Sequence, residues 1–321
     1  MLPDPRGKGT DSSCSTWTPS SPHVTSRSTT FATPARESKP GPEASLCASE
    51  VITLSNFARW SRFNSERDFY RYADTELRDA FPTLPDRSQF NRLVRFCAQL
   101  IEAFALHLAS LLTEAQKCPY QALDSSAMPV RDVKRRGAGW LAGYADIGWS
   151  NSLGWYESFS LLAAVDPSGV VTGFCFAAAS TADQQLAETF FAVRAQPNER
   201  FLSVGSASSR PYMADKGFEG TENHRRWLEN YGAHIIHPPK RNSRKKHWYK
   251  RLRRWVASIR QIIESVYDKL FNTFGLWRER PHELGALRAR LAARVALHNF
   301  CIWLNERLGR PRLAFADLLG W

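Results

Sequence analysis

The sequence predicts an α/β protein, a mixed sheet with helices packed against it and a small helical region in front. Three observations carry this. Between about residues 50 and 115 the apolar residues recur at helical spacing. After Lys117 the pattern changes to short apolar runs separated by turn residues. Those runs then alternate with amphipathic helical stretches, in the order strand, hairpin, helix, strand, helix, strand, long helix.

Taken in order, residues 1–48 are rich in Ser, Thr and Pro and lack apolar periodicity, which predicts a disordered tail. Residues 49–116 form the helical region, a candidate module for binding DNA ends. Phe57 to Tyr72 carries Arg59, Arg62, Arg67 and Arg71 among aromatics, and suits either a DNA-binding module or a helical cap on the main domain. Phe81-Pro82-Thr83-Leu84-Pro85 is a turn, and Asp86 is placed to cap the next helix with Gln89 in capping-box position. Phe90, Leu93, Val94, Cys97, Leu100, Ile101, Phe104 and Leu108 give that helix one core-facing stripe.

Residues 117–321 are the predicted catalytic domain. Leu123 leads into Asp124 at a short strand. Tyr156–Val165 and Val170–Ala179 read as strands joined by Asp166-Pro167-Ser168-Gly169, a hairpin turn. Thr181–Ala195 reads as a helix, and Pro211 to Ala214 approaches Asp215. Helices are expected over Thr221–Tyr231, from about Tyr249 to Phe274, and from about Glu283 to Leu308, with a short strand at Ala233–Ile236.

Composition excludes several classes. The chain has 321 residues, 43% of them hydrophobic and eleven of them Trp, ample for a core. No run approaches the roughly 20 uncharged apolar residues that span a bilayer, and no secretory signal is evident. The expectation is a cytoplasmic, nucleoid-associated bacterial protein with no membrane partner. The six cysteines form no CxxC pair. His234 and His237 point to opposite faces of a strand, which excludes a zinc pair there.

Charge supplies the functional signal. The net charge is +12, and one segment from Lys240 to Arg260 holds all but two of it. Lys240, Arg241, Arg244, Lys245, Lys246, Lys250, Arg251, Arg253, Arg254 and Arg260 lie there without a single acid. Trp248, Tyr249 and Trp255 are interleaved with them. A dense cationic block with aromatics suits a nucleic acid, whose phosphates attract the charges and whose bases stack on the rings.

Beside this block stand three carboxylates. Asp124 and Asp215 end short strands, and Glu264 sits inside the long helix. Phosphodiester chemistry uses such a set, because two divalent ions about 3.5–4 Å apart clamp the attacking and leaving oxygens. Mg²⁺ takes carboxylate oxygens and keeps waters, so few ligands suffice. Asp146 lies near enough in sequence to compete with Asp124 for the first position.

Leu123-Asp124-Ser125, Ala214-Asp215-Lys216-Gly217-Phe218 and Arg260-Gln261-Ile262-Ile263-Glu264 resemble the three acidic motifs of bacterial insertion-sequence transposases of the DDE class. The resemblance covers roughly residues 50 to 305 and includes Gly154-Trp155-Tyr156-Glu157-Ser158-Phe159, Gly232-Ala233 and Lys240-Arg241-Asn242. It implies a ribonuclease H-like fold, with Asp124, Asp215 and Glu264 as catalytic residues binding Mg²⁺ or Mn²⁺, two ions in all. It also implies cleavage at the terminal inverted repeats of a transposon, attack of the freed 3′-hydroxyl on target DNA, and a homo-oligomer that brings two ends together. Arg260 matches the family's basic residue one turn before the Glu, where it can hold a phosphate. Lys216 and Lys269 are further candidates for DNA contact. Many relatives carry a Tyr three residues before that Arg and a Lys seven after the Glu; here those positions hold Ala257 and Phe271, and Arg278, Arg280 and His282 offer phosphate contacts instead. The alternatives are a non-catalytic DNA-binding descendant and a nuclease without strand transfer.

Overall fold

A computed structural model describes residues 44–60, 62–113, 118–130, 141–151, 153–196, 199–239 and 248–319. The expected disorder of residues 1–43 and the first half of the basic block, Lys240 to His247, lie outside them.

Four helices come first: α1 (Ala48–Phe57), α2 (Glu66–Glu76), α3 (Arg87–Phe96) and α4 (Ala98–Thr113). Asp86 caps α3 as expected, its Oδ1 accepting from the backbone N–H groups of Ser88 and Gln89. The long helix expected after it is broken at Cys97, where α3 and α4 meet at 61°. The apolar stripe runs through the bend without interruption, which is why spacing alone did not reveal it. Among the described residues no single helix is long and apolar enough to cross a membrane; α3 and α4 reach that length only as a bent pair.

The strands are β1 (Gln121–Met128), β2 (Asp146–Ser150), β3 (Gly154–Val165), β4 (Val171–Ala178), β5 (Tyr212–Ala214) and β6 (Ile235–Ile236). β3 is antiparallel to β1, β2 and β4, whereas β5 is parallel to both β1 and β6. Central β1 therefore has antiparallel strands on one side and parallel strands on the other. This mixed six-stranded sheet with flanking helices is the ribonuclease H-like α/β fold that was expected. Edge strand β2 was not foreseen. Its Ile147 and Trp149 are exposed, so its alternation does not resemble a strand with a buried face.

Helices α5 (Asp183–Ala195), α6 (Thr221–Tyr231), α7 (Lys250–Asp268), α8 (Leu284–Arg307) and α9 (Ala316–Leu319) complete the chain. The period of two along the strands sorts the core into two layers. Leu123, Leu162, Ala164 and Ala214 pack with Phe190 and Phe191 of α5 and Trp227 of α6. Ala122, Leu161, Ala163, Val165 and Met213 face the opposite way, toward Ile259 and Ile263 of α7 and Leu291 and Val295 of α8. That second cluster continues into the leading helices through Ile52, Phe69 and Phe104. The turn after β3 is pinned to α8 by His298, whose Nε2 donates to the Gly169 carbonyl at 2.8 Å.

One buried cation braces the strands that lead to the carboxylates. Arg194 on α5 donates from Nε to the Val204 carbonyl (2.7 Å), and from its terminal nitrogens to Gln121 at the start of β1, Tyr212 of β5 and the Thr172 carbonyl of β4. Gly173 is required beside it, since a Cβ there would fall 2.4 Å from the guanidinium and 2.1 Å from the Val204 carbonyl oxygen. Each nitrogen of the Arg194 guanidinium is engaged, and no carboxylate is involved.

Candidate active site

Strand register places the first two acids. Leu123 of β1 pairs with Ala214 of β5 in parallel, so Asp124 and Asp215 are the next residues along neighbouring strands, which run about 4.8 Å apart. Both follow residues of the alternating pattern that turn toward α7, since Asp124 shares a face with Ala122 and Asp215 with Met213. Asp215 also closes its own turn, its Oδ1 accepting from the Lys216 backbone N–H at 2.6 Å. Gln184 of α5 holds that turn from behind by donating to the Gly217 and Glu219 carbonyls.

The third acid arrives on α7. Val256, Ile259, Ile263 and Val266 bury one face of this helix against the sheet, and Tyr267 fixes its height. The Tyr267 hydroxyl donates to the Asp124 backbone carbonyl at 2.7 Å, with the Leu161 carbonyl at 3.2 Å. Glu264 lies one turn earlier and Arg260 one turn before that. Arg260 then reaches all three acids. Its guanidinium stands 3.5 Å from Asp124, 3.5 Å from Asp215 and 3.6 Å from Glu264. The three predicted carboxylates are thus brought around a single cation, and Asp146 is not among them. Asp146 sits on edge strand β2 with its Oδ1 on its own neighbour's N–H.

The electrostatics are uneven. Burial pushes the Asp124 carboxyl up to about 6; the Asp215 charge adds to this, while Arg260 and the Ser125 N–H oppose it. Glu264 is open to solvent, with 59% of its side chain exposed against 16% for Asp124. When all three acids are ionised, one guanidinium leaves two negative charges uncompensated. Arg260 Nε is itself buried without a hydrogen-bond partner among the described residues. Among those residues no three His, Cys, Asp or Glu side chains stand together as a ready-made metal cage; the guanidinium holds the space between the acids.

The predicted DNA-contacting residues divide into groups. Lys240, Arg241, Arg244, Lys245 and Lys246 lie outside the described residues. Lys250, Arg251, Arg253 and Arg254 are exposed on the first turns of α7, beside exposed Tyr249 and Trp255. Positive charge at a helix N-terminus opposes the helix dipole, and no acid in that turn offsets it. Lys216 is exposed next to Asp215. Lys269 instead lies 5.0 Å from the Phe315 ring centroid.

Sequence reasoning missed Tyr267, Gln184 and Asp183. Asp183 accepts from the Ser125 hydroxyl at 2.6 Å, bringing a fourth carboxylate to the residue beside Asp124. Tyr267 was legible in principle, as the polar member of the buried face made by Ile259, Ile263 and Val266.

The geometry agrees with what the chain resembles at the level of families. A model of the transposase DDE domain matches residues 119–300, more than half of the chain and all three acids. No curated protein and no solved structure gives a match. The chain belongs to the transposase DDE domain family.

Proposed function

We propose that the protein cuts DNA at the ends of a mobile element and joins the freed 3′-hydroxyl to target DNA, using Asp124, Asp215 and Glu264 to hold divalent metal. The observation that carries this is the convergence of three acids, from β1, the end of β5 and α7, on the one guanidinium of Arg260. The donor set fits Mg²⁺ or Mn²⁺. It is all carboxylate oxygen, on rigid elements, with two negative charges in excess. The chemistry such ions supply when bound is activation of an attacking oxygen and neutralisation of charge on the phosphate.

The remaining work falls to the chain's own residues. Tyr267 and the strand register hold Asp124 level with Asp215. Gln184 keeps the Asp215 turn in place. Arg260 compensates the acids and is one side-chain rotation from a phosphate, to which a guanidinium binds as a planar fork. The exposed cations of α7, from Lys250 to Arg254, face the solvent that a DNA backbone would occupy, and Tyr249 and Trp255 present rings to it. Bringing two ends together would need at least two copies of the chain.

The test uses duplexes carrying the DNA that flanks the gene, incubated with purified protein and Mg²⁺ or Mn²⁺. Expected are nicks at the element ends and, with target DNA added, joined products; Asp215→Asn abolishes both. Uncut ends under either metal, with no difference between wild type and Asp215→Asn, would overturn the proposal. Cutting without joining would identify a nuclease. A non-catalytic DNA-binding role has one observation in its favour, the guanidinium standing between the acids, and salt-sensitive binding without cutting would select it.

A further inference from the structure

A cleft of 660 Å³ opens between the leading helices and the segment that follows α7, and none of the three acids lines it. One wall carries Arg67 of α2 and, at the two ends of α3, Arg87 and Arg95; the other carries Arg278 and Arg280. The floor is closed by ion pairs. Glu279 is held by Arg59, Arg290 and Arg294, and Glu66 bridges Arg59 to Arg290. The carboxylates on the floor are thereby already engaged. Arg95 has Glu283 at 3.4 Å, and Arg280 donates to the Trp277 and Glu279 carbonyls.

Three cations are left over. Arg67, Arg87 and Arg278 are exposed on the cleft and have no carboxylate partner among the described residues. Arg278 donates only to Asn64 on the opposite wall, at 3.2 Å. Beneath them, Arg59 Nε is buried without a hydrogen-bond partner there. Forked guanidiniums spread over two facing walls suit a run of phosphates better than one compact anion.

We infer that this cleft is a second binding site for the phosphodiester backbone, gripping the same duplex whose neighbouring phosphate reaches the acids. This rests on the DNA reading proposed above. Helical backbone runs on from Glu264 to Thr273, which lines the cleft. Nine residues of helix span about 13 Å, roughly four base-pair steps of duplex. A duplex engaged at the acids extends that far.

The experiment follows anisotropy of a labelled random-sequence duplex against salt concentration, in EDTA, for the full chain. Arg67→Gln/Arg87→Gln/Arg278→Gln should weaken binding about tenfold or more. It should also flatten the salt dependence by about 0.9 for each phosphate that is no longer neutralised. The matching triple Lys variant should recover most of the slope, since phosphates respond to charge; a merely structural role would not predict that recovery. An unchanged slope in the Gln variant, with native circular dichroism, overturns the inference. So does failure of the Lys variant to recover, or binding of polyglutamate that the Gln variant loses while duplex binding persists. Cleavage is the separate readout. Wild-type cutting with an unchanged slope removes the cleft and leaves the transposase reading. A flattened slope without cutting does the reverse.

Discussion

Around Arg260, three carboxylates stand 3.5 to 3.6 Å from one guanidinium; around Glu279, three guanidiniums stand 2.5 to 2.8 Å from one carboxylate. The two clusters use the same residue types with the signs exchanged. They differ in closure. Glu279 is 9% exposed, its partners are at hydrogen-bond distance, and they carry further bonds of their own, such as Arg294 Nε to the Phe274 carbonyl. The Arg260 cluster is looser and partly open, with every pair beyond good hydrogen-bond length. Burial by itself would raise the Glu279 pKa and is the largest single influence; Arg294, Arg59 and Arg290 together outweigh it and hold the carboxyl well below the usual range. At Asp124 burial wins. One cluster has satisfied its charges and fastens the leading helices to α8, and the other keeps negative charge in reserve. Charge left uncompensated on rigid elements marks a place where something binds.

The sharpest way to break this contrast is to neutralise one acid in each cluster. Asp215→Asn should lower cleavage by about 10³-fold or more, because the ligand neutralises charge in the transition state, while leaving the unfolding midpoint unchanged or higher. Comparable cutting by the variant would remove the functional half of the contrast. Glu279→Gln should do the opposite. It leaves buried Arg294 and Arg59 without their carboxylate and should cost about 3–5 kcal/mol in urea unfolding. A loss below about 1 kcal/mol would show that the tight cluster does not hold the fold.

Much of this contrast could not be read from the sequence. The carboxylates at Asp124, Asp215 and Glu264 were legible because each belongs to a local pattern: a strand end, a turn, a helix with Arg260 four residues before. The alternation of β3 and β4, the cap at Asp86 and the Asp166 turn were legible for the same reason. The Glu279 cluster was not. Arg59 and Glu279 are 220 residues apart, and no local spacing connects a helical head to a loop after α7. The convergence of all three acids on Arg260 was equally hidden, since sequence places only Glu264 beside it. The bend at Cys97 escaped because apolar periodicity continues across it, and β2 escaped because its edge position leaves Ile147 and Trp149 in solvent.

Acid dependence of stability sharpens the comparison further. The Asp124 carboxyl rises from the ordinary 3.8 to about 6 in the folded protein, so the native state binds a proton more tightly than the unfolded chain. Stability from this group is present below about pH 4 and is lost as pH climbs through 6. Asp124→Asn in EDTA should therefore be more stable than wild type at pH 8, by about 2–3 kcal/mol, with the difference vanishing near pH 4. Glu279 has the reverse sign. Its contribution persists at every pH above the ordinary carboxylate range and fades only in strong acid. Urea titrations of wild type and both variants across pH 4 to 8 check the pair, and parallel curves would refute the assignment.

The smallest effect separates two accounts of Arg260. If it only ties the acids together, as Arg294 ties Glu279, then Arg260→Gln should lower stability and weaken any ion the acids hold. If it stands in for metal, its removal relieves a competing positive charge. Mn²⁺ affinity, read from paramagnetic resonance or calorimetry without DNA, should then rise about tenfold, a gain of about 1.4 kcal/mol. The loose geometry favours the second outcome. At 3.5 Å and beyond, with Nε unpartnered among the described residues, the guanidinium loses little by leaving. A Glu279-like cluster would resist such exchange, because each of its arginines would give up a short ion pair buried from water. The same substitution should weaken DNA-dependent cleavage once metal is saturating, because the cation displaced from the acids is then missing from the phosphate.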